Sequence, residues 1–178
     1  MSAQSPSIYR TTDGRIQVRH SDANDIGAIR AIYSQPSCFA NTLQHPFPSL
    51  EKWQRRLGDL PDNCYSLVAE IDGEIVGQAG MEVFANPRRK HVANLGMAVS
   101  EDYQGIGVGS ALLAAMMELA HNWLAVRRIE LEVYTDNHAA IKLYKRHGFV
   151  IEGEAIGYAF RGGEYVDAFL MASCRDFG

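Results

Sequence analysis

The alternation of apolar and polar positions divides the chain into short segments. Their period switches between two and about 3.6. RIQVRH (15–20) alternates as a short strand. SDANDIGAIRAIYSQ (21–35) opens with a Ser/Asp cap and sets Ile26, Ile29, Ile32 and Tyr33 on one helical face. PSCFANTLQHPFPS (36–49) holds three prolines and reads as a loop, and LEKWQRRLGDL (50–60) is a second helix with Leu50, Trp53, Leu57 and Leu60 in register. YSLVAEI and EIVGQAGMEVF flank Asp72-Gly73, a hairpin signal, and HVANLGMAVS (91–100) is a further strand. After a glycine-rich stretch, Val108, Leu112, Met116, Leu119, Ala120 and Trp123 form the stripe of a helix over 109–124 packed on a sheet. RIELEVYT (128–135) alternates again. DNHAAIKLYKRHGF (136–149) is a helix that Asp136 or Asn137 can cap and Gly148 can end. FVIEGE (149–154) and YVDAFLMAS (165–173) complete the sheet around a turn at Arg161-Gly162-Gly163-Glu164. The order β-α-α-β-β-β-α-β-α-β-β predicts an α+β (mixed α/β) fold, a mostly antiparallel sheet with a central β-loop-α-β unit and helices on its faces.

The 178 residues suit one domain, expected over 15–178 behind a polar lead-in at 1–14. The formal net charge of −4 gives no bulk attraction to nucleic acid or to anionic membranes, and runs such as Arg88-Arg89-Lys90 and Arg127-Arg128 read as solvated turns. Three widely spaced cysteines without a CxxC pair, and histidines that never fall at ligand spacing, predict neither a metal site nor a disulfide framework. With no long apolar run and no apolar core of a signal peptide, the expected location is the cytoplasm.

The candidate chemistry begins at QGIGVGSALL. Glycines at 105, 107 and 109 stand between a strand and a helix. Such a loop either cradles an anion on the N–H groups of the helix start or turns tightly for packing. No lysine follows the glycines, which excludes a Walker loop, and their spacing is GxGxG, not the GxGxxG of a dinucleotide fold. The run Gln104-Gly105-Ile106-Gly107-Val108-Gly109, followed by Ser110, instead fits Q/R-x-x-G-x-G/A.

That pattern, with DNHAAIKLYKRHGF in the order and separation expected, resembles the GNAT acyltransferase superfamily, whose N-x-x-A-x-x-x-Y-x-x-x-G-F segment the second stretch matches. NTLQ, NWL, RIELEVY and GEYVDAFLMA are similar to the bacterial subgroup that acetylates free L-amino acids. The resemblance implies acetyl-CoA as co-substrate, with residues 104–110 binding its pyrophosphate. Met97, Ala98 and Val99 would lie along the pantetheine arm, in a gap opened where this strand parts from 128–135 at a bulge. Asn137 would bond that arm unless it serves as the cap. No basic residue follows Gln104, so backbone donors, or Lys145 and Arg146, would carry more of the phosphate binding.

Acetyl transfer to an amine requires loss of a proton from the ammonium, a donor for the developing oxyanion and protonation of the departing thiolate. The resemblance assigns the last task to Tyr144, which would otherwise be a core tyrosine on the stripe of Ala140 and Leu143. Glu132 leads as base, Glu82 is its rival, and a water relay needs neither. For the acceptor, the resemblance points to Asn41, Thr42, Leu43 and Gln44 on one side and to Tyr158, Arg161 or Tyr165 on the other, with Phe39 and Phe47 suiting an apolar amino acid. An arginine such as Arg161 could hold a substrate carboxylate. The small amine, best read as a free L-amino acid, competes with a protein N-terminus and with a non-catalytic acyl-CoA-binding module. A homodimer in which VDAFLMA pairs or packs across a two-fold is the remaining expectation, against burial of that run inside one sheet.

Overall fold

The computed structural model describes residues 8–176. Its strands are β1 (Tyr9–Arg10), β2 (Gln17–His20), β3 (Cys64–Ile71), β4 (Glu74–Val83), β5 (Val92–Val99), β6 (Arg128–Tyr134), β7 (Val150–Arg161) and β8 (Glu164–Cys174). Its helices are α1 (Ile26–Tyr33), α2 (Pro36–Ala40), α3 (Leu50–Gly58), α4 (Val108–Trp123) and α5 (His138–Arg146). All eight strands join one sheet in the order β1-β2-β3-β4-β5-β6-β8-β7. Every neighbouring pair is antiparallel except β5 and β6. The β3–β4 hairpin turns where expected, at Asp72 (φ 50°) and Gly73 (φ 80°), the two left-handed residues that match strand twist.

Side-chain alternation divides the core into two layers. Leu67, Ala79, Met81 and Leu95 face α4 and α5, where Leu112, Leu113 and Met116 are fully buried, each contributing about 1.5–3 kcal/mol. On the opposite face Val68 and Ala98 meet Ile29 and Ile32 of α1, Cys38 of α2 and Trp53 of α3. Gly77 lets α4 cross β4 closely, since a Cβ there would lie 2.9 Å from Leu112 Cδ1.

The feature that matters most is the β5–β6 junction. These strands pair only from Val92↔Arg128 to Asn94↔Glu130. Beyond Asn94, β5 stays bonded to β4 and β6 to β8, so the sheet opens into a wedge. The β4–β5 register runs without a shift from Gly77↔Val99 to Val83↔Ala93, so the expected bulge is absent and β5 departs as a regular strand. Each half-sheet simply keeps its own twist.

Several expectations need correction. The segment 36–49 is not all loop: Pro36 occupies the start of α2, where a missing N–H is no loss. β7 continues to Arg161, seven residues past the expected 154, as one arm of a long hairpin with two register irregularities. Trp123 is 75% exposed because it is the final helical residue, just before the chain reverses at Ala125 (φ 55°). Of the expected lead-in, 1–7 lies outside the described residues, as do 177–178, and Tyr9–Arg10 already pairs with β2. β8 is flanked by β6 and β7, so the apolar run VDAFLMA has no free strand edge through which to pair with a partner. No helix among the described residues is long and apolar enough to cross a membrane.

Candidate active site

A cleft of about 1020 Å³ follows the wedge between β5 and β6, from the glycine loop at one end to α2 and α3 at the other. Three glycines build the first end for two different reasons. Gly105 (φ 76°) and Gly107 (φ 98°) are left-handed, a conformation other residues adopt only at a cost of about 1–2 kcal/mol. Gly109 is small because α5 is close: a Cβ there would lie 3.0 Å from Leu143 Cδ2. No side chain caps α4, and its first internal bond is from Ala111 N–H to Gly107 O (3.0 Å). The N–H groups of Val108, Gly109 and Ser110 therefore lack intrahelical acceptors, at the positive end of the helix dipole.

Side chains of this segment have separate duties. Gln104 Nε2 donates to Val99 O (3.0 Å) and Ser37 Oγ (3.3 Å), which fastens α2 to the loop. Ser110 Oγ lies 3.1 Å from His147 Nε2, and His147 Nδ1 lies 3.0 Å from Leu143 O. Because that carbonyl only accepts, Nδ1 is the donor to it. Ile106 is exposed and Val108, the first residue of α4, is buried in the core, so neither side chain lines the cleft. Of the two basic residues considered, Arg146 lines it and Lys145 does not. Met97, Ala98 and Val99 lie on the stretch of β5 that has left β6, where backbone groups directed at the gap have no strand partner.

An uncapped helix start, two left-handed glycines and Arg146 suit the phosphates of coenzyme A, and the open edge of β5 suits an extended amide-bearing arm. Asn137 caps α5, its Oδ1 accepting from Ala140 N–H at 3.3 Å, while its Nδ2 finds no acceptor among the described residues. Capping therefore leaves this side chain a donor for the cleft.

Tyr144 reaches the cleft from the core side. Its side chain is 7% exposed and packs against Phe149 at 5.7 Å between ring centroids. Burial pushes the phenol up to about 12, and its hydroxyl has no hydrogen-bond partner among the described residues. Across the wedge, Glu82 and Glu132 are exposed and line the cleft. Asn94, which pairs with Glu82 across β4–β5, directs Nδ2 at both Glu132 oxygens (3.3 and 3.2 Å). Cys38 is no nucleophile here: burial raises its thiol, which donates to Val99 O at 3.2 Å.

At the end expected to take the acceptor, Asn41, Thr42, Leu43 and Gln44 all line the cleft. Asn41 and Thr42 are partly engaged in shaping their own loop, through bonds to Ser37 O and Cys38 O (both 2.8 Å), and Tyr134 Oη holds the loop down by donating to Thr42 O (3.1 Å). Tyr158 enters from β7 and sits edge-on to Tyr134 at 6.4 Å. Its phenol is raised, by burial first and then by the Glu132 charge. Arg161 departs from expectation: an ion pair with Asp136 engages it over the Tyr134 ring, and it does not line the cleft. Phe39, Phe47 and Tyr165 are likewise absent from the lining, and Phe47 is 97% exposed. The aromatic wall is built instead by Tyr33 and Trp53, stacked at 4.8 Å, with Arg56 beside them. Trp53 and Tyr33 read in the sequence as core positions, and nothing in a local pattern separates a core stripe from a cleft wall.

The sequence of residues 28–149 matches the acetyltransferase (GNAT) family. The L-amino acid N-acetyltransferase AaaT of Escherichia coli K12 is 50% identical over 160 residues, which cover 90% of this chain and 98% of that protein. Among solved structures, a GNAT-family acetyltransferase from Streptococcus pneumoniae superposes with a TM-score of 0.79 at 27% identity, covering 90% of this chain and 99% of that one. A ribosomal-protein-alanine N-acetyltransferase from Brucella melitensis does so with 0.79 at 28%, covering 89% and 99%. The likeness extends over the glycine loop, the parted strands and the Tyr144 helix together: the chain belongs to the GNAT family and is an acetyl-CoA-dependent N-acetyltransferase.

Proposed function

We propose that the acceptor is the α-amino group of a free L-amino acid. The observation that carries this reading is the 50% identity to an L-amino acid N-acetyltransferase over almost the whole of both chains. The form of the cleft supports it. One end suits coenzyme A, and the other is walled by the 41–44 loop, Tyr134 and Tyr158, with the loop tied down through Thr42 O. A protein N-terminus would need an open groove for extended backbone at that place.

Acetyl-CoA supplies an activated acyl carbon and a thiol leaving group, so the proposed reaction calls for no metal. In this reading Val108, Gly109 and Ser110 N–H and Arg146 hold the phosphates, and Asn137 Nδ2 and the free edge of β5 hold the arm. Glu132, steadied by Asn94, takes the ammonium proton directly or through one water, and Tyr144 gives its proton to the departing sulfur. The Glu82 carboxylate makes no hydrogen bond among the described residues and contributes negative charge that draws in the ammonium.

Two measurements test this. In a screen of free amino acids, simple amines and tripeptides, followed by thiol release and product mass, free amino acids are expected to react about tenfold or more faster than tripeptides. A preference for peptides, or tight coenzyme binding without thiol release, would refute the assignment. Glu132→Gln is expected to lower kcat/KM about tenfold, less than the usual range for a general base because water can bridge the gap, and Glu82→Gln to lower it less. The reverse ranking would transfer the role to Glu82.

A further inference from the structure

What separates an amino acid from other primary amines is its carboxylate, and a site that selects it needs a cation facing the acceptor end. Arg161 is unavailable, since Asp136 holds it outside the cleft. Most other arginines are engaged as well: Arg19 by Asp25 and Glu70, Arg55 by Glu51, Arg89 by Glu130, Arg128 by Glu130 and Glu152, and Arg30 by Pro48 O.

Arg56 differs from these. It lies in the last turn of α3 and lines the cleft, and no acceptor among the described residues meets its guanidinium. That group sits 5.1 Å from the centroid of the Trp53 ring. Trp53 is buried and stacks on Tyr33 at 4.8 Å, and Tyr33 Oη donates to Gln78 Oε1 at 2.7 Å. The platform beneath the guanidinium is therefore fixed, which limits the freedom Arg56 must lose on binding an anion. The cleft carboxylates Glu82 and Glu132 do not pair with it, so its donors are left for a ligand. The second cleft arginine, Arg146, lies in the last turn of α5, next in sequence to the His147 that meets Ser110 at the start of α4.

Building on the amino-acid reading above, we propose that Arg56 grips the carboxylate of the substrate through its guanidinium fork and thereby selects free amino acids over amines that lack that group. It is a specificity residue and takes no part in proton transfer.

The test compares leucine, methionine and phenylalanine with their carboxamides in the wild type, Arg56→Gln and Arg56→Lys. Arg56→Gln is expected to lower kcat/KM for the acids about tenfold, mainly through KM, while the carboxamides change less than about twofold. Arg56→Lys should recover part of the loss, because it keeps the charge and loses the fork. Unaltered calorimetric binding of coenzyme A shows that each variant is folded. Equal losses on acids and carboxamides, or no loss on either, would overturn the anchor and leave the acetyltransferase assignment intact. If the wild type acetylates amines or peptides but no amino acid, the acceptor assignment fails and the anchor falls with it.

Discussion

Tyr144→Phe is expected to lower kcat about a hundredfold with the fold intact. Phenylalanine keeps the ring that packs on Phe149 and the buried position within the core, so the substitution removes one oxygen and no packing. That oxygen has no hydrogen-bond partner among the described residues, so its loss strands no buried donor or acceptor. Because no fully buried polar side-chain atom among the described residues lacks a partner, the Tyr144 hydroxyl opens onto the cleft, whereas that of Tyr33 bonds Gln78 inside the core. Burial pushes Tyr144 up from an ordinary 10.0 to about 12, so it enters the reaction protonated at neutral pH. The thiolate formed on transfer is a base it can protonate, whereas a tyrosinate could not serve. The direction of the shift also has a consequence for stability. The unfolded chain releases this proton from about pH 10, while the folded chain holds it to about 12, so the stability it contributes is complete below 10 and is lost as pH rises through that window. Steady-state kinetics with one good acceptor, together with denaturant unfolding, checks both points. A hundredfold fall in kcat at unchanged KM for acetyl-CoA is the expected result; near-normal kcat would remove Tyr144 from the proton path, and a matching loss of stability would return it to the core.

Parts of this architecture are readable in the sequence because they rest on local chemistry. Asp72-Gly73 can take two left-handed residues, Asn137 can cap, and Gly148 can end a helix, so the elements around them are legible without tertiary information. The glycine loop is legible for the same reason. Other parts depend on partners distant in sequence. Arg161 and Arg56 are both arginines near aromatic residues, and only the fold shows that Asp136 captures one and leaves the other facing the cleft. Trp53 lies on a helical stripe that describes a core and a cleft wall equally well. β7 escapes the periodic reading because its outer half, in the hairpin with β8, is partly exposed on both faces, with Ile156 and Phe160 open to solvent. α2 escapes because prolines suggest a loop, although Pro36 begins a helix without loss.

Gly105→Asp is expected to weaken coenzyme A binding about a hundredfold while leaving the folded state within about 1 kcal/mol of wild type. The two effects separate because they act on different things. Gly105 is left-handed (φ 76°), a conformation that Asp and Asn tolerate better than other side-chain-bearing residues, and a Cβ there meets nothing within 4 Å. A carboxylate at that point stands before the uncapped start of α4, where the helix dipole favours it, and this offsets the backbone strain. The same carboxylate occupies the position proposed for the pyrophosphate and repels it. Gly105→Asn supplies the matching shape without charge and should bind coenzyme within about tenfold of wild type. Calorimetric titration with coenzyme A across increasing salt completes the comparison, because a repulsion between charges weakens as screening rises and a steric block does not. A Gly105→Asp enzyme that binds coenzyme A as tightly as wild type would mean that the phosphates lie elsewhere, and that Gly105 and Gly107 serve only the turn into α4 while Gly109 admits Leu143 of α5.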